Sequence, residues 1–196
     1  MNGNKIWNGS LLGLVSVVYI YIQVLFERVA DKITQILFLH NIKKCGKNCV
    51  VHRGLYYRYP YSIVLGKDVI IGRNNVFSSE HVKEFDSYLH IGDGVSIGSN
   101  CKIDFTGGVT IRPFAHIAHE VMISTHDHGY DYTSVPKGKR IVIGESAFIG
   151  NRVIILHNCN YIGKKAVIGT GSVVTKDVPD FAVVAGNPAR IIKYLE

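Results

Sequence analysis

The chain has 196 residues, 47% hydrophobic and 19% charged, a composition that excludes wholesale disorder and supports one domain with its own core. Its formal charge of +7 suits an anionic ligand, a phosphate-bearing cofactor or an anionic membrane face. Nucleic acid is not expected as a partner, because no basic helix, zinc finger or aromatic RNA-binding motif is present.

Residues 1–45 read as an apolar helical segment. Leu11 to Phe26 is apolar on all sides, interrupted only by Gly13, Ser16 and Gln23, and Val29, Ile33, Ile36, Leu37 and Leu39 continue at helical spacing. Sixteen such residues span about 24 Å as a helix, short of the roughly 30 Å hydrocarbon core. No small-x-small cleavage site follows the run. Three readings stay open: an anchor lying in or dipping into the membrane face, a helix packed on the body of the protein or on an oligomer, and a true span. Lys5, Arg28, Lys32, Lys43 and Lys44 flank the run and suit anionic headgroups. The expected location is the cytoplasm, with peripheral contact to the cytoplasmic membrane face.

From Gly46 the period changes, and residues 46–196 read as a second unit, an all-β solenoid with a short tail. Aliphatic residues, often followed by glycine, recur every six positions: Leu65 and Ile71; Ile91, Ile97 and Ile103; Ile111, Ile117 and Ile123; Ile143, Ile149 and Ile155; Ile162 and Ile168. Six is neither a helical nor an alternating-strand period; it is a repeat. One face of a triangular coil uses about six residues, an aliphatic side chain points into the prism on each face, and a small residue turns the corner. Cys45, Cys49, Cys101 and Cys159 read as reduced thiols in small core positions, in keeping with a cytoplasmic setting.

The repeat breaks at Phe77 to Leu89, at Thr106-Gly107-Gly108, at Thr125 to Arg140 and, by one residue, at Leu156 to Tyr161. Solenoids interrupt their register mainly at loops, and loops carry function. The segment from Thr125 to Arg140 holds two histidines, two tyrosines and three basic residues, and is the candidate active-site loop. Histidine is the natural general base near neutral pH, which makes His126 and His128 the catalytic candidates. Asp104 stands where the repeat places glycine, next to a break, as a binder of sugar hydroxyls or an orienter of the imidazole; His116 and His119 are further candidates for the same cleft. No fixed metal-ligand spacing appears, and no Gly-x-Ser-x-Gly elbow.

The run IGTGSVVTKDVPDFAVVAGNPARIIK, Ile168 to Lys193, with the repeats before it, resembles the hexapeptide-repeat acyltransferases, and within them the galactoside and maltose O-acetyltransferase group. The resemblance covers roughly Gly46 to Lys193 and leaves out the N-terminal helix; the group's usual N-terminal acceptor-binding segment has no counterpart here. It implies a left-handed parallel β-helix, a homotrimer with active sites between subunits, acetyl-CoA as donor and metal-free catalysis. Counted without gaps from Ile117-Ala118, His128 falls at the family's catalytic histidine, with His126 two positions away. The family's coenzyme A contacts fall on Ala118, Phe148, Asn151, Thr170, Thr175, Lys176, Asn187 and Arg190. The expected function is O-acetylation of a sugar or glycan precursor, such as a lipid-linked oligosaccharide. N-acetylation of an amino sugar is the enzymatic alternative, and a non-catalytic scaffold the alternative outside enzymes.

Overall fold

A computed structural model describes residues 11–80, 86–131 and 133–196; Lys5, residues 81–85 of the first repeat break and Tyr132, one of the two tyrosines of the Thr125–Arg140 segment, lie outside them. A long helix, α1 (Leu11–Asn41), leads into a coil whose short strands visit three parallel sheets in strict rotation. Lys44–Cys45, Ile63–Leu65 and Leu89–Ile91 start the first face, Val50–Val51, Ile70–Ile71 and Ser96–Ile97 the second, and Tyr56–Tyr57, Val76–Ser78 and Lys102–Asp104 the third. Neighbours within a face come from successive coils, with Ile111 level with Ile91 and with Ile143, and Ile117 level with Ile97 and with Ile149. The result is a three-faced parallel β-coil.

The six-residue period is the core. Ile91, Ile97, Ile103, Ile111, Ile117, Ile123, Ile143, Ile149, Ile155, Ile162 and Ile168 are all buried, stacked down the prism axis. Each strand before the terminal hairpin has only two or three residues to pair, so its backbone bonds are useful only when coils above and below supply the partners. Corners need a left-handed backbone, and Asp68, Asn74 and Asn100 sit at φ of 58°, 56° and 62°. Asn and Asp enter that region at least cost among residues with a Cβ. The four cysteines are free thiols, and burial pushes Cys159 up to about 12.

The two halves of α1 differ. Phe38 is fully buried in the first coil, its ring edge-on to Tyr57 at 4.9 Å. Asp31 accepts the Arg53 backbone N–H at 2.8 Å and Gln35 accepts that of Val51 at 3.4 Å, so helix side chains take the place of the missing coil below. Glu27 pairs with Arg53 at 2.7 Å and Arg73 at 3.3 Å. By contrast Leu11, Leu12, Tyr21, Leu25 and Phe26 are exposed, and α1 has the length and hydropathy to cross a membrane. At the other end, Ala189–Tyr194 folds back antiparallel on Ala182–Gly186.

Two breaks in the repeat build one region. The loop after Ile123 leaves the coil as a small antiparallel ribbon, His126–Asp127 against Lys137–Gly138. Its root is fastened where Gly107 N–H donates to Thr125 Oγ1 at 2.9 Å and Lys139 N–H to Thr125 O at 2.7 Å. A Cβ on Gly107 would stand 2.4 Å from the Lys139 backbone, so only glycine allows this approach.

Candidate active site

Asp104 ends its strand on the third face, level with Ser78 one coil below, and points into the break between Phe105 and Val109. Both carboxylate oxygens are engaged. Oδ1 accepts from Thr106 N–H (3.1 Å) and Oγ1–H (2.6 Å); Oδ2 accepts from Thr125 N–H (2.7 Å), Thr125 Oγ1–H (2.8 Å) and His126 Nδ1–H (2.8 Å). Thr106 and Thr125 are fully buried. Burial works against the Asp104 charge, but the bonds from Thr106, Thr125 and His126 outweigh it and hold the carboxyl below its ordinary value. Of its two expected roles, the geometry is that of orienting the imidazole. Five protein donors surround the carboxylate in this arrangement.

His126 is therefore held with its proton on Nδ1, since the partner is an ionised carboxylate. His128 is held in the same tautomer by a different device: its Nδ1 lies 2.8 Å from the Ser134 carbonyl oxygen, which can only accept. Ser134 Oγ–H in turn donates to the His128 carbonyl at 2.6 Å. The two rings meet edge to face, centroids 5.3 Å apart. Each ring presents its Nε2 to Glu80, at 3.6 Å from His126 and 3.5 Å from His128. Glu80 is tied to the same network through its backbone N–H, which donates to Thr106 Oγ1 at 2.9 Å. With Tyr56, Arg58, Ser78 and Ser79, the residues Glu80, Asp104 and His126 border a cleft of about 320 Å³, and His128 stands beside it against Glu80.

Sequence reasoning missed Glu80, Thr106 and Thr125 as site residues. Glu80 lies in the first repeat break, just after the strand that pairs with the one carrying Asp104; counting by coils would have brought them together. Counting also separates His116. It lies on the second face with its ring stacked on Phe148, centroids 5.4 Å apart and 5° from parallel. His116 and His119 border another groove, with His52 and Arg73, one face earlier in the coil than the cleft of His126.

The expected coenzyme A residues form two neighbouring groups. Ala118, Asn151 and Thr170 follow strands on the second face that are paired level with each other, His116–Ile117, Phe148–Ile149 and Val167–Ile168. They share the corner between the second and third faces, where Asn151 Oδ1 accepts the His119 backbone N–H at 2.9 Å. Phe148 is outward on the second face. Thr175, Lys176 and Arg190 border a pocket of about 310 Å³ against the terminal hairpin, and Asn187 is exposed at its reversal. The histidine pair follows the third-face strands, whereas Ala118, Asn151 and Thr170 precede them. Within one chain the two groups stand at opposite edges of the third face.

No family model matches the chain. It is 34% identical over 149 residues to galactoside O-acetyltransferase of Escherichia coli K12, covering 76% of this chain and 62% of that one. It thus spans about six-tenths of the length of the galactoside O-acetyltransferases it matches. A protein of the same organism named for O-acetyl transfer in lipopolysaccharide biosynthesis, WbbJ, is 31% identical over 170 residues, covering 75% of this chain and 80% of that one. Among solved structures, a galactoside acetyltransferase in complex with coenzyme A superposes with a TM-score of 0.54 at 26% identity, covering 83% of this chain and 70% of that one. AntD, an N-acyltransferase from Bacillus cereus in complex with dTDP and coenzyme A, shares the fold with a TM-score of 0.72 at 20% identity, covering 83% and 89%.

Proposed function

The chain belongs to the hexapeptide-repeat acyltransferases, and from that premise we propose that it transfers the acetyl group of acetyl-CoA to a hydroxyl of a sugar or glycan precursor, with His128 as general base. One observation carries the reading. His128 is held through Nδ1 by the Ser134 carbonyl, which turns Nε2 toward Glu80 beside the cleft that Glu80 and His126 border, at the family's catalytic position. Its Nε2 takes the hydroxyl proton as the oxygen attacks the thioester carbon. The tetrahedral intermediate collapses with cleavage of the C–S bond, and the imidazolium returns the proton to the leaving thiolate. Backbone N–H groups are the natural oxyanion donors. His126, held by Asp104, positions the second imidazole against the first.

The coil is left-handed in this reading, as in the family, and the working unit is a homotrimer. Support for the trimer is the separation of the two residue groups: a second copy, presenting its Ala118–Asn151–Thr170 corner to the histidine edge of the first, completes a site that neither holds alone. Lys176 and Arg190 meet the phosphates of coenzyme A. The catalytic unit is the coil from residue 46, and the exposed half of α1 attaches the protein to the cytoplasmic membrane face, where a lipid-linked acceptor lies. The alternative acceptor is the amine of an amino sugar; the Glu80 carboxylate beside the histidine pair favours it, since a protonated amine would find a counter-charge there.

The test is thiol release from acetyl-CoA with sugar, amino-sugar and lipid-linked glycan acceptors. Acceptor-dependent release in the wild type should fall by about 10²–10⁴ in His128→Ala. A larger loss in His126→Ala would move the base to that residue. Absence of coenzyme A binding by calorimetry would overturn the enzyme and leave a scaffold.

A further inference from the structure

Three side chains converge beside the cleft. Both Nδ1 atoms are committed as donors, so each imidazole presents its Nε2, and Glu80 turns a carboxylate oxygen toward each of them. Three ligand atoms gathered in this way are the arrangement that one cation bridges.

The geometry points to a metal site: we propose that Glu80, His126 and His128 bind one divalent transition cation such as zinc, and that the bound ion blocks acetyl transfer. The spacing fits. Zinc–nitrogen and zinc–oxygen bonds of roughly 2.0–2.2 Å at the tetrahedral angle put neighbouring ligand atoms roughly 3.3–3.5 Å apart. Here Glu80 Oε1 stands 3.6 Å from His126 Nε2 and Glu80 Oε2 stands 3.5 Å from His128 Nε2, and one ligand atom from each residue lies within 4.8 Å of the others, so a small side-chain adjustment closes the set around one ion. Both imidazoles are also oriented as ligands are oriented elsewhere, each donating its other N–H, one to a carboxylate and one to a backbone carbonyl. Two imidazoles with one carboxylate select zinc, cobalt or nickel over magnesium and calcium. The open side of the cleft leaves a fourth position to water.

The consequence for transfer rests on His128 as the base. The lone pair that would take the hydroxyl proton becomes the bond to the metal, so the ion is a reversible inhibitor rather than a cofactor. The set has no sequence spacing because Glu80 comes from one coil and the histidines from the loop of a later one.

The experiment uses cobalt(II) as a spectroscopic probe on the full chain, with zinc displacing it. Saturable uptake of one cobalt per chain, with the intense visible bands of four-coordinate cobalt, is expected. Glu80→Gln should weaken binding at least tenfold, and His116→Ala, on another face, should leave it unchanged. Glu80 is half exposed, so its amide variant folds, and circular dichroism checks this. No saturable binding, or equal binding by Glu80→Gln, overturns the site. Zinc should abolish thiol release over the concentration range that saturates binding, and a chelator should restore it; full activity in the zinc-loaded protein overturns the inhibitory role. If the metal-free protein transfers nothing, the acetyltransferase reading fails, while the cobalt titration still decides the site.

Discussion

Replacing Asp104 by Asn tests the network under the histidines. The amide keeps one acceptor oxygen and puts an NH₂ group where the other was. The least costly orientation turns the NH₂ toward Thr106, whose hydroxyl can rotate to accept but whose buried backbone N–H is left facing a donor. An unpaired buried donor costs about 1–3 kcal/mol. Weakening the three remaining bonds from charge-assisted to neutral costs about 1 kcal/mol each, again at the upper end of what deletions show. The sum is about 4–6 kcal/mol. At roughly 2–4 °C per kcal/mol for a domain of this size, the melting temperature should fall by about 8–24 °C at fixed protein concentration. The effect has a pH signature. The folded Asp104 carboxyl lies below its ordinary 3.8, so the stabilisation it carries is complete above that value and disappears as pH falls through the folded value. The gap between wild type and Asp104→Asn should therefore be full at neutral pH and close on acidification below about pH 4. A loss under about 3 °C at pH 7, which is roughly 1 kcal/mol, would refute the reasoning, as would a gap that persists unchanged in acid.

Lys176→Ala and Arg190→Ala should each raise the KM for acetyl-CoA about tenfold with kcat little changed, since in the proposed site they would contact the cofactor equally before and during reaction; unchanged KM in both would remove them from the phosphate site. Deleting residues 1–26 keeps the half of α1 that packs on the first coil, so transfer to a water-soluble acceptor should continue while sedimentation with anionic vesicles is lost. Full-length protein that stays in the supernatant would overturn the membrane role of α1.

The prism was readable because its core is written as one residue type at one interval: Ile91, Ile97 and Ile103 differ in neighbours but share a direction. Corners were half readable. Asn74 and Asn100 carry the chemistry of a left-handed backbone, whereas Phe114 and Phe181 reach φ of 60° with no such signal, because stacking fixes the corner whatever the residue. The histidine loop stood out as polar sequence between regular repeats. Glu80 did not, since its meaning is a register relation across coils and the break around it is simply charged. For α1, apolar sequence on all sides announced a helix but not the division at Glu27 between a half that is packed and a half that is exposed; that depends on which side chains meet the edge of the first coil.

A stacked coil has no natural length. Each turn presents the same bare ladder of N–H and C=O groups that the next turn uses, so an open end is a template for another molecule's end and, repeated, for a fibre. Here Asp31 and Gln35 cover donors at one end, and the returning strand Ala189–Tyr194 lies across the other. On the second face both ends are covered, and coils between the covers can be added only as whole turns.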